Sequence, residues 1–216
     1  MIDLHTHSIF SDGELIPYEL VRRAEEKGYR YIAITDHLDF SNMDFVIPRI
    51  VRVAKKINSE KRSIKVIAGC ELTHIHPASF KEAVIEARKL GAKIVVAHGE
   101  TPVEPVAEGT NLAAIEAGVD ILAHPGIITE KEAKLAAKNN VLLEVTARGG
   151  HNITNGHVVK MAKKSGAGIV VNTDAHAPKD LITLEFARTV AIGAGLRASE
   201  YTELCKRLEI WLKARL

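Results

Sequence analysis

The chain has 216 residues, of which 46% are hydrophobic and 26% are charged, and its formal net charge is +2. A chain of this length can bury a sizeable core, and α/β barrels commonly use this length as one domain. The small net charge gives no support to a strong nucleic-acid footprint, and short basic pairs such as Lys55-Lys56 are interpreted as solvated helix ends. Cys70 and Cys205 are far apart, which argues against a disulfide framework and a thiolate zinc site.

The amino terminus lacks the pattern of a secretory signal, because no charged stretch is followed by a long apolar run. No segment approaches the roughly 18 uninterrupted apolar residues that span a bilayer. We therefore expect a cytoplasmic protein without a membrane partner. The sequence does not predict its oligomeric state.

Short apolar runs alternate with longer helical patterns along the chain. Seven runs are predicted as strands, at Ile2–His5, Tyr31–Thr35, Ile64–Ala68, Lys93–Ala97, Ile121–Ala123, Val141–Thr146 and Gly168–Asn172. The helices predicted between them are Pro17–Lys27, Val46–Asn58, Ser79–Leu90, Asn111–Gly118, Lys131–Lys138 and His157–Lys164. Thr129, with Glu132 three residues later, is predicted to cap one of them. This alternation favours a parallel barrel or a doubly wound sheet, and the missing Gly-rich loop after the first strand argues against dinucleotide binding.

The tail, Ser199–Leu216, is predicted to form one amphipathic helix. Its apolar residues recur at helical spacing at Tyr201, Leu204, Leu208, Trp211 and Leu212. We expect this face to pack onto the body of the protein. No linker or internal boundary interrupts the pattern, so residues 1–216 are interpreted as a single domain.

Polar residues follow six of the seven predicted strands at once, in the segments "DLHTH", "ITDH", "AGCE", "AHGE", "AHPG" and "NTDAH". In parallel α/β folds, the carboxyl ends of the strands meet at one face and carry the catalytic groups. Histidine and carboxylate are ligands of divalent cations. The candidates number nine, which suggests two or three metal ions: His5, His7, Asp12, His37, Glu71, His98, His124, Asp174 and His176.

The ordered set "HTHSIFSDG", "TDH", "GCE", "AHPG" and "NTDAH" resembles the PHP family, named for polymerase and histidinol phosphatase, across essentially the whole chain. The resemblance implies a distorted (β/α)7 barrel of the PHP type, similar to a TIM barrel, with a trinuclear metal site. It assigns one metal to His5, His7, Glu71 and Asp174, a second to Glu71, His98 and His124, and a third to Asp12, His37 and His176.

The leading hypothesis for function is metal-dependent hydrolysis of a phosphate ester by a hydroxide that bridges two metals. The favoured substrate is a small phosphomonoester of the histidinol phosphate or nucleotide monophosphate type, and the ions could be zinc, manganese or iron. Arg148 follows the sixth predicted strand, where its guanidinium would suit phosphate oxygens; a plain surface arginine is the alternative. With Arg148, His176 and Asp12 are the candidate catalytic residues.

Three other functions remain open from the residues. These are a 3′-5′ exonuclease or oligonucleotide phosphodiesterase, an amidohydrolase-like C–N hydrolase, and a non-catalytic scaffold that binds metal. Nucleic acid is a less favoured partner than a small phosphorylated molecule. Glu144 is expected to orient neighbouring ligands, and Cys70 to pack in the core. The roles of four further polar residues are not predicted: His74, His76, Glu100 and His151.

Overall fold

The protein is described here by a computed structural model that covers residues 1–215. Its strands are β1 Ile2–Asp3, β2 Tyr31–Ile34, β3 His37–Leu38, β4 Lys65–Leu72, β5 Ile94–His98, β6 Ile121–Ala123, β7 Leu142–Thr146 and β8 Ile169–Asn172. Every neighbouring pair is parallel, in the order β1-β2-β4-β5-β6-β7-β8. The short strand β3 pairs with the carboxyl end of β4, beyond the residues of β4 that pair with β2. Strands β2 and β3 therefore occupy one position in the sheet. The sheet therefore has seven positions.

The first and last strands approach each other and nearly close the barrel. Where β1 meets β8, the backbone N–H of Leu4 donates to the side chain of Asn172 at 2.9 Å. Three residues after Leu4, the N–H of His7 donates to the carbonyl of Ala175 at 2.9 Å. The predicted (β/α)7 barrel is thus confirmed, with a seam that side chains as well as backbone hold together.

The helices alternate with the strands and surround the barrel. They are α1 Pro17–Glu26, α2 Met43–Asn58, α3 Phe80–Leu90, α4 Thr110–Ala117, α5 Glu130–Asn139, α6 Asn155–Ser165, α7 Leu184–Gly193 and α8 Ala198–Lys213. Thr129 forms the predicted capping box, because its side chain accepts from the N–H of Glu132 and the Glu132 carboxylate accepts in return. Within residues 1–215, no helix combines the length and the apolar character needed to cross a membrane.

Two apolar layers hold the fold together. One fills the barrel with inward-facing side chains such as Leu4, Ile67 and Val96, and helix α8 contributes Leu208 and Leu212 to it. The other lies between the strands and the surrounding helices. The polar residues that follow the strands in sequence lie at the carboxyl ends of those strands. Position 216 of the predicted tail lies outside the described residues.

Some predicted boundaries are wrong. The third predicted strand ends at Ala68, yet β4 continues to Leu72. A side chain at Gly69 would approach the backbone oxygen of Ile94 to 2.8 Å, so the glycine permits a close strand contact rather than ending the strand. Helix α7 is not among the predicted helices.

Candidate metal centre

The nine predicted ligands meet at the carboxyl end of the barrel. They come from loops or strand ends that are far apart in sequence, and most are buried. Eight of them form three overlapping groups whose nitrogen and oxygen atoms lie within 4.8 Å of one another, and Asp174 lies beside the first group. The structure thus places the predicted residues together; their assignment as metal ligands remains a prediction.

The first group is built around the paired histidines of the β1 end. His5 Nε2 lies 3.4 Å from Glu71 Oε1, and His7 Nε2 lies 3.7 Å from Glu71 Oε2. Asp174 Oδ1 is 3.2 Å from His7 Nε2 and 3.6 Å from His5 Nε2. All four side chains are buried. As the i, i+2 spacing predicts, the two histidines face the same space, and carboxylates from β4 and the β8 loop point into it.

The second group shares Glu71 with the first. His98, at the end of β5, and His124, after β6, each place a ring nitrogen within 4.8 Å of a Glu71 oxygen. His124 Nε2 is 3.6 Å from Glu71 Oε1. Glu71 is therefore the carboxylate between the first two groups, which is the bridging position that the family resemblance implies.

The third group lies at the more open side of the mouth. Asp12 Oδ1 is 3.2 Å from His176 Nε2, 3.5 Å from His37 Nε2 and 4.0 Å from His7 Nδ1. The Asp12 side chain is 58% exposed, whereas His7 is buried. Among the predicted ligands, Asp12 is thus the one that solvent reaches most freely.

Strained backbone holds several of these side chains. His124 and Asp174 have φ values of +27° and +53°, and the neighbouring His74 has +52°. Non-glycine residues rarely adopt positive φ, and such strain clusters at functional sites. Gly126, two residues after His124, has φ +62°, and a side chain there would collide with the Glu100 backbone oxygen at 1.9 Å. The turn "HPG", which positions the His124 side chain, therefore requires glycine at position 126.

Glu144 of β7 orients two of the buried histidines. Its Oε1 accepts from Asn172 Nδ2 at 2.8 Å and lies 2.9 Å from His5 Nδ1, and its Oε2 accepts from the backbone N–H of His124 at 3.1 Å. With Nδ1 of His5 held in this way, Nε2 is left to face Glu71 and Asp174. A carboxylate behind a metal-binding histidine fixes the tautomer and orientation of the ring.

The substitution Glu144→Gln is expected to lower metal affinity or activity about 10- to 100-fold while the fold is retained. An amide nitrogen would face at least one of the three donors that the carboxylate now accepts, so the His5 ring would lose its fixed orientation. Metal titration and circular dichroism would measure both effects. The exposed Glu116→Gln on α4 is the matched control, and equal behaviour of the two variants would contradict the orienting role.

The buried nitrogen and oxygen atoms of the cluster suit coordination to metal ions better than hydrogen bonding to one another. Within the described residues, several have no hydrogen-bond partner: His5 Nε2, both ring nitrogens of His7, Glu71 Oε1, His124 Nδ1 and Asp174 Oδ1. Buried polar atoms are normally satisfied, and each exception costs free energy and calls for an explanation. Imidazole nitrogen and carboxylate oxygen suit zinc, manganese and iron alike, so this cluster could hold divalent cations.

The titratable groups of the cluster differ in the direction of their pKa shifts. Burial lowers the pKa of His7 well below its usual value, and the nearby His37 and His5 add to this effect; the same cause lowers the pKa of His124. Burial opposes ionisation of Glu71, but His5 and His37 hold the pKa of its carboxyl well below the usual range. His7 and His124 thus favour the neutral imidazole, and Glu71 favours the carboxylate, which are the forms that bind metal. Burial opposes the charge on His5 and His37, yet Glu144 raises the pKa of His5 and Glu71 raises that of His37 to about 9. Burial also raises the pKa of Asp174 to about 7.

Arg148 lies beside the cluster, in the loop after β7. Its Nη1 donates to the backbone oxygen of Asp174 and to Asp180 Oδ2, each at 3.4 Å, and its side chain is 32% exposed. It lines a cavity of about 510 Å³ together with His176 and the exposed Lys179. The predicted phosphate-binding arginine thus faces open space next to the third ligand group, with a second cation nearby.

Sequence reasoning missed Glu104, which lies in the loop after β5. Its Oε2 is 3.0 Å from His98 Nε2 and 3.6 Å from His74 Nε2, and its Oε1 is 3.4 Å from His151 Nε2. The hydrogen bond from His98 lowers the pKa of Glu104 to about 2. Glu104 thus joins two histidines without predicted roles to the cluster. The segment "GETPVEP" offers no periodic signal that would have identified it.

The other open residues make structural contacts. His76 Nδ1 accepts from the N–H of Ala78 at 3.3 Å in an exposed turn, and Glu100 Oε1 accepts from the N–H of Asn111 at 2.8 Å. As predicted, Cys70 is buried in the layer between strands and helices, on the side opposite Glu71. His76 and Glu100 thus stabilise turns and loops, and neither they nor Cys70 enter the three groups.

A parallel (β/α) barrel with a candidate multinuclear metal site at the carboxyl ends of its strands defines the class of this protein. Residues 3–214 match the model of the PHP domain. The chain therefore belongs to the PHP domain family, as the resemblance in its motifs predicted.

Several curated relatives match the chain. It is 52% identical over 199 residues to the uncharacterized protein MJ1295 of Methanocaldococcus jannaschii, covering 92% of this chain and 91% of the relative. It is 24% identical to a "probable phosphatase" of Clostridium novyi, covering 82% and 79%. It is 28% identical to the DNA polymerase/3′-5′ exonuclease PolX of Bacillus subtilis, covering 81% of this chain but only 34% of the relative.

Two solved structures share the fold. A chain in archaeal ribonuclease P with mature tRNA superposes with a TM-score of 0.72 at 19% identity, covering 98% of this chain and 91% of that one. Histidinol phosphate phosphatase from Lactococcus lactis, in complex with zinc, L-histidinol and phosphate, superposes with a TM-score of 0.64 at 22% identity, covering 91% and 94%. At these identities the likeness establishes the fold alone.

Proposed function

We propose that the protein is a metal-dependent phosphoesterase that hydrolyses a small phosphomonoester. The observation that carries the proposal is the cluster of buried, unpartnered histidine and carboxylate atoms around Glu71, at a mouth beside the half-buried Arg148. Membership of the PHP domain family and the relatives named as phosphatases support the same chemistry. A scaffold without activity would not need this many donors.

Two or three divalent ions would be held by the nine residues, as the family assignment distributes them. When bound, such ions lower the pKa of water and neutralise charge on phosphoryl oxygens. Glu71 would serve two of the ions, since it lies between the first two groups. His7 lies between the first and third groups, 3.7 Å from Glu71 and 4.0 Å from Asp12. The geometry is compatible with zinc, manganese or iron.

Arg148 and His176 would position the phosphate. The Arg148 guanidinium presents a planar fork that matches two phosphate oxygens, and it needs to give up only two long hydrogen bonds, each 3.4 Å, to reach them. His176 lines the same cavity. Positive charge placed in advance at this wall would stabilise the negative charge that develops on the phosphoryl group.

Asp12 would act at the leaving-group side. With two ions bound and the third ligand group free, its exposed carboxylate, 3.2 Å from His176 Nε2, would share a proton with that histidine at the open edge of the site. The bond that breaks joins phosphorus to the ester oxygen, and that oxygen takes a proton as it leaves. A solvent-facing acid–base pair within reach of the departing alcohol suits this step.

The favoured substrate is a monoester of the histidinol phosphate or nucleotide monophosphate type. The shared fold with a histidinol phosphate phosphatase supports a small phosphorylated molecule. The relationship to PolX keeps exonuclease action as the second candidate.

A phosphatase screen tests the proposal. The purified protein, loaded with Mn²⁺, Zn²⁺ or Fe²⁺, would be assayed for phosphate release from p-nitrophenyl phosphate, histidinol phosphate and nucleotide monophosphates. We expect turnover that disappears on chelation and returns when metal is restored. Failure to release phosphate from any monoester with any of these metals would contradict the proposal.

The substitution Arg148→Gln is expected to raise KM for the monoester about 10- to 100-fold, because it removes a charge-assisted bidentate interaction with phosphate. Metal content should not change, since Arg148 does not enter the three groups. Steady-state kinetics with elemental analysis would measure both. The control is Arg207→Gln on α8, which removes an exposed arginine paired with Glu203. An unchanged KM for Arg148→Gln would show that Arg148 does not bind the phosphate.

A further inference from the structure

Large hydrophobic side chains surround the mouth that holds the candidate metal centre. Five of them lie in loops that follow strands, and a sixth lies in the first turn of α7. Each of these residues is between 47% and 67% exposed. We call the set the apolar rim, and its members are Ile9, Phe40, Val103, Ile127, Ile153 and Phe186. Exposed apolar side chains that gather around one site on a protein surface mark a place where a ligand or partner binds.

The rim residues of the loops lie next to the metal cluster in sequence. Each is within three residues of a histidine or carboxylate of the cluster. The pairs are Ile9 with His7, Phe40 with His37, Val103 with Glu104, Ile127 with His124, and Ile153 with His151. Three residues of extended chain span at most about 11 Å, and the loops after the strands of a (β/α) barrel all lie at its carboxyl face. The rim therefore borders the same mouth as the cluster.

Three of these loops meet on one side of the mouth. The rings of His124 and His151, in the loops after β6 and β7, have centroids 4.3 Å apart. A side chain at Gly150 would lie 3.8 Å from both methyl carbons of Val103, so the loops after β5 and β7 also approach each other. The loops after β5, β6 and β7 thus bring their rim residues to the same side of the cluster.

Phe186 connects the rim to the proposed phosphate site. It lines the same cavity of about 510 Å³ as Arg148 and His176, and Ile182 lines this cavity as well. A phosphate bound by Arg148 would therefore share the cavity with an exposed aromatic ring. Cavities of roughly 300–1,000 Å³ are typical of small-molecule sites, so the remainder of a small substrate fits here better than a protein partner does.

The apolar rim has no group that could bind a polar alcohol. Its six side chains offer neither a hydrogen-bond donor nor an acceptor. A hydroxyl or amino group placed against them would lose its hydrogen bonds to water without replacing them, which costs free energy. An alkyl chain would instead remove both its own surface and the rim surface from water, which is favourable. The composition of the rim therefore selects for an apolar alcohol.

We propose that the apolar rim binds the alcohol portion of the substrate, and that this alcohol is an alkyl chain. The inference rests on the phosphoesterase function proposed above and narrows its small phosphomonoester to an alkyl phosphate. The phosphate group would lie at Arg148 and the metal centre, and the chain would lie against Phe186 and the rim. Water would supply the oxygen that bonds to phosphorus, the bond from phosphorus to the ester oxygen would break, and that oxygen would take up a proton. The products would be inorganic phosphate and the alkyl alcohol.

Butyl, hexyl and octyl phosphate, used below the concentrations at which they form micelles, test the proposal. These esters share one leaving-group chemistry, so kcat should be the same for all three. KM should fall about twofold for each added methylene, which is half of the roughly fourfold effect of complete burial, so octyl phosphate should have a KM about 16-fold below that of butyl phosphate. Isothermal titration calorimetry with the matching alkylphosphonates, whose P–C bond is not hydrolysed, should show the same dependence in Kd.

The rim variant combines Ile127→Ser, Ile153→Ser and Phe186→Ser. It should reduce the dependence of KM and Kd on chain length to less than about 1.3-fold for each methylene, because the chain would then lie against a polar surface. Elemental analysis should find its metal content unchanged, since none of the three residues is a candidate ligand.

The matched control replaces three exposed isoleucines on helices α3, α7 and α8 with serine, at Ile85, Ile192 and Ile210. It removes a similar amount of exposed apolar surface away from the loops that carry the rim. The control should keep the full dependence on chain length.

Values of KM and Kd that do not change with chain length would overturn the proposal, as would an equally steep dependence in the rim variant. A lower KM for histidinol phosphate or a nucleotide monophosphate than for octyl phosphate would also overturn it. So would a flat series together with a wild-type dimer that the rim variant dissociates in sedimentation velocity, which would assign the rim to a second copy of the chain.

The proposed function can fail separately from the role of the rim. In each of the outcomes that overturn the rim, release of phosphate from any monoester would leave the phosphoesterase function standing. Binding of alkylphosphonates that depends on chain length, without release of phosphate from any monoester, would support the apolar site and contradict the phosphoesterase function alone.

Discussion

The substitution Glu71→Gln is expected to abolish phosphoester hydrolysis, with a loss of at least about a thousandfold, or about 4 kcal/mol of activation free energy. Glu71 is the carboxylate shared by the first two donor groups, and its two oxygens face His5, His7 and His124. An amide of nearly the same volume offers one oxygen and a nitrogen that cannot accept. The ions that depend on this side chain should therefore bind poorly while the surrounding packing survives.

Activity assays with circular dichroism and elemental analysis would measure this effect. Glu108→Gln, in the exposed loop before α4, removes a carboxylate charge without touching the cluster and should keep full activity and metal content. His5→Ala and Asp174→Asn are expected to follow Glu71→Gln, with loss of turnover and a retained fold. Wild-type turnover in Glu71→Gln would mean that the cluster is not the active site.

The second large effect is thermal stabilisation by metal. Adding Mn²⁺ or Zn²⁺ to chelator-treated protein should raise Tm by about 8–16 °C, because saturation at a thousand times Kd stabilises the folded state by about 4 kcal/mol and each kcal/mol is worth about 2–4 °C in a protein of this size. The physical reason is the set of buried atoms without partners, among them His7 Nδ1 and Asp174 Oδ1. Metal ions would satisfy them.

Differential scanning calorimetry with and without metal would measure the shift. Ca²⁺ serves as the control cation, because it prefers oxygen ligands and this cluster is rich in imidazole. Glu71→Gln should reduce the shift produced by Mn²⁺ or Zn²⁺. A Tm that does not respond to Mn²⁺, Zn²⁺ or Fe²⁺ would contradict this prediction. It would indicate that no ion binds the unpartnered atoms and that their burial only destabilises the folded state.

Much of the fold and of the candidate site could be predicted from sequence because two patterns coincide. One is the alternation of strand and helix segments, and the other is the polar residues that follow the strands. Apolar runs separated by helical patterns locate the strands, and the polar residue after each strand is brought by the barrel to one mouth. His5, Glu71 and Asp174 are 66 and 103 residues apart in sequence, yet their strand-end positions alone predict that they meet. The structure places both carboxylates within 3.6 Å of His5 Nε2.

Other features had no such signal. Glu104 reaches His98 from an irregular loop, and loop conformation follows from contacts that no periodicity encodes. By contrast, Lys55 and Lys56 lie exposed in the last turn of α2, as the sequence pattern indicates for a solvated helix end.

The central claim is that these distant donors share bound cations, and elemental analysis of the protein after metal saturation and exhaustive dialysis tests it most directly. The account predicts two to three equivalents of zinc, manganese or iron in the wild-type protein and a clear loss in Glu71→Gln. A wild-type protein that retains none of these metals after saturation would contradict it.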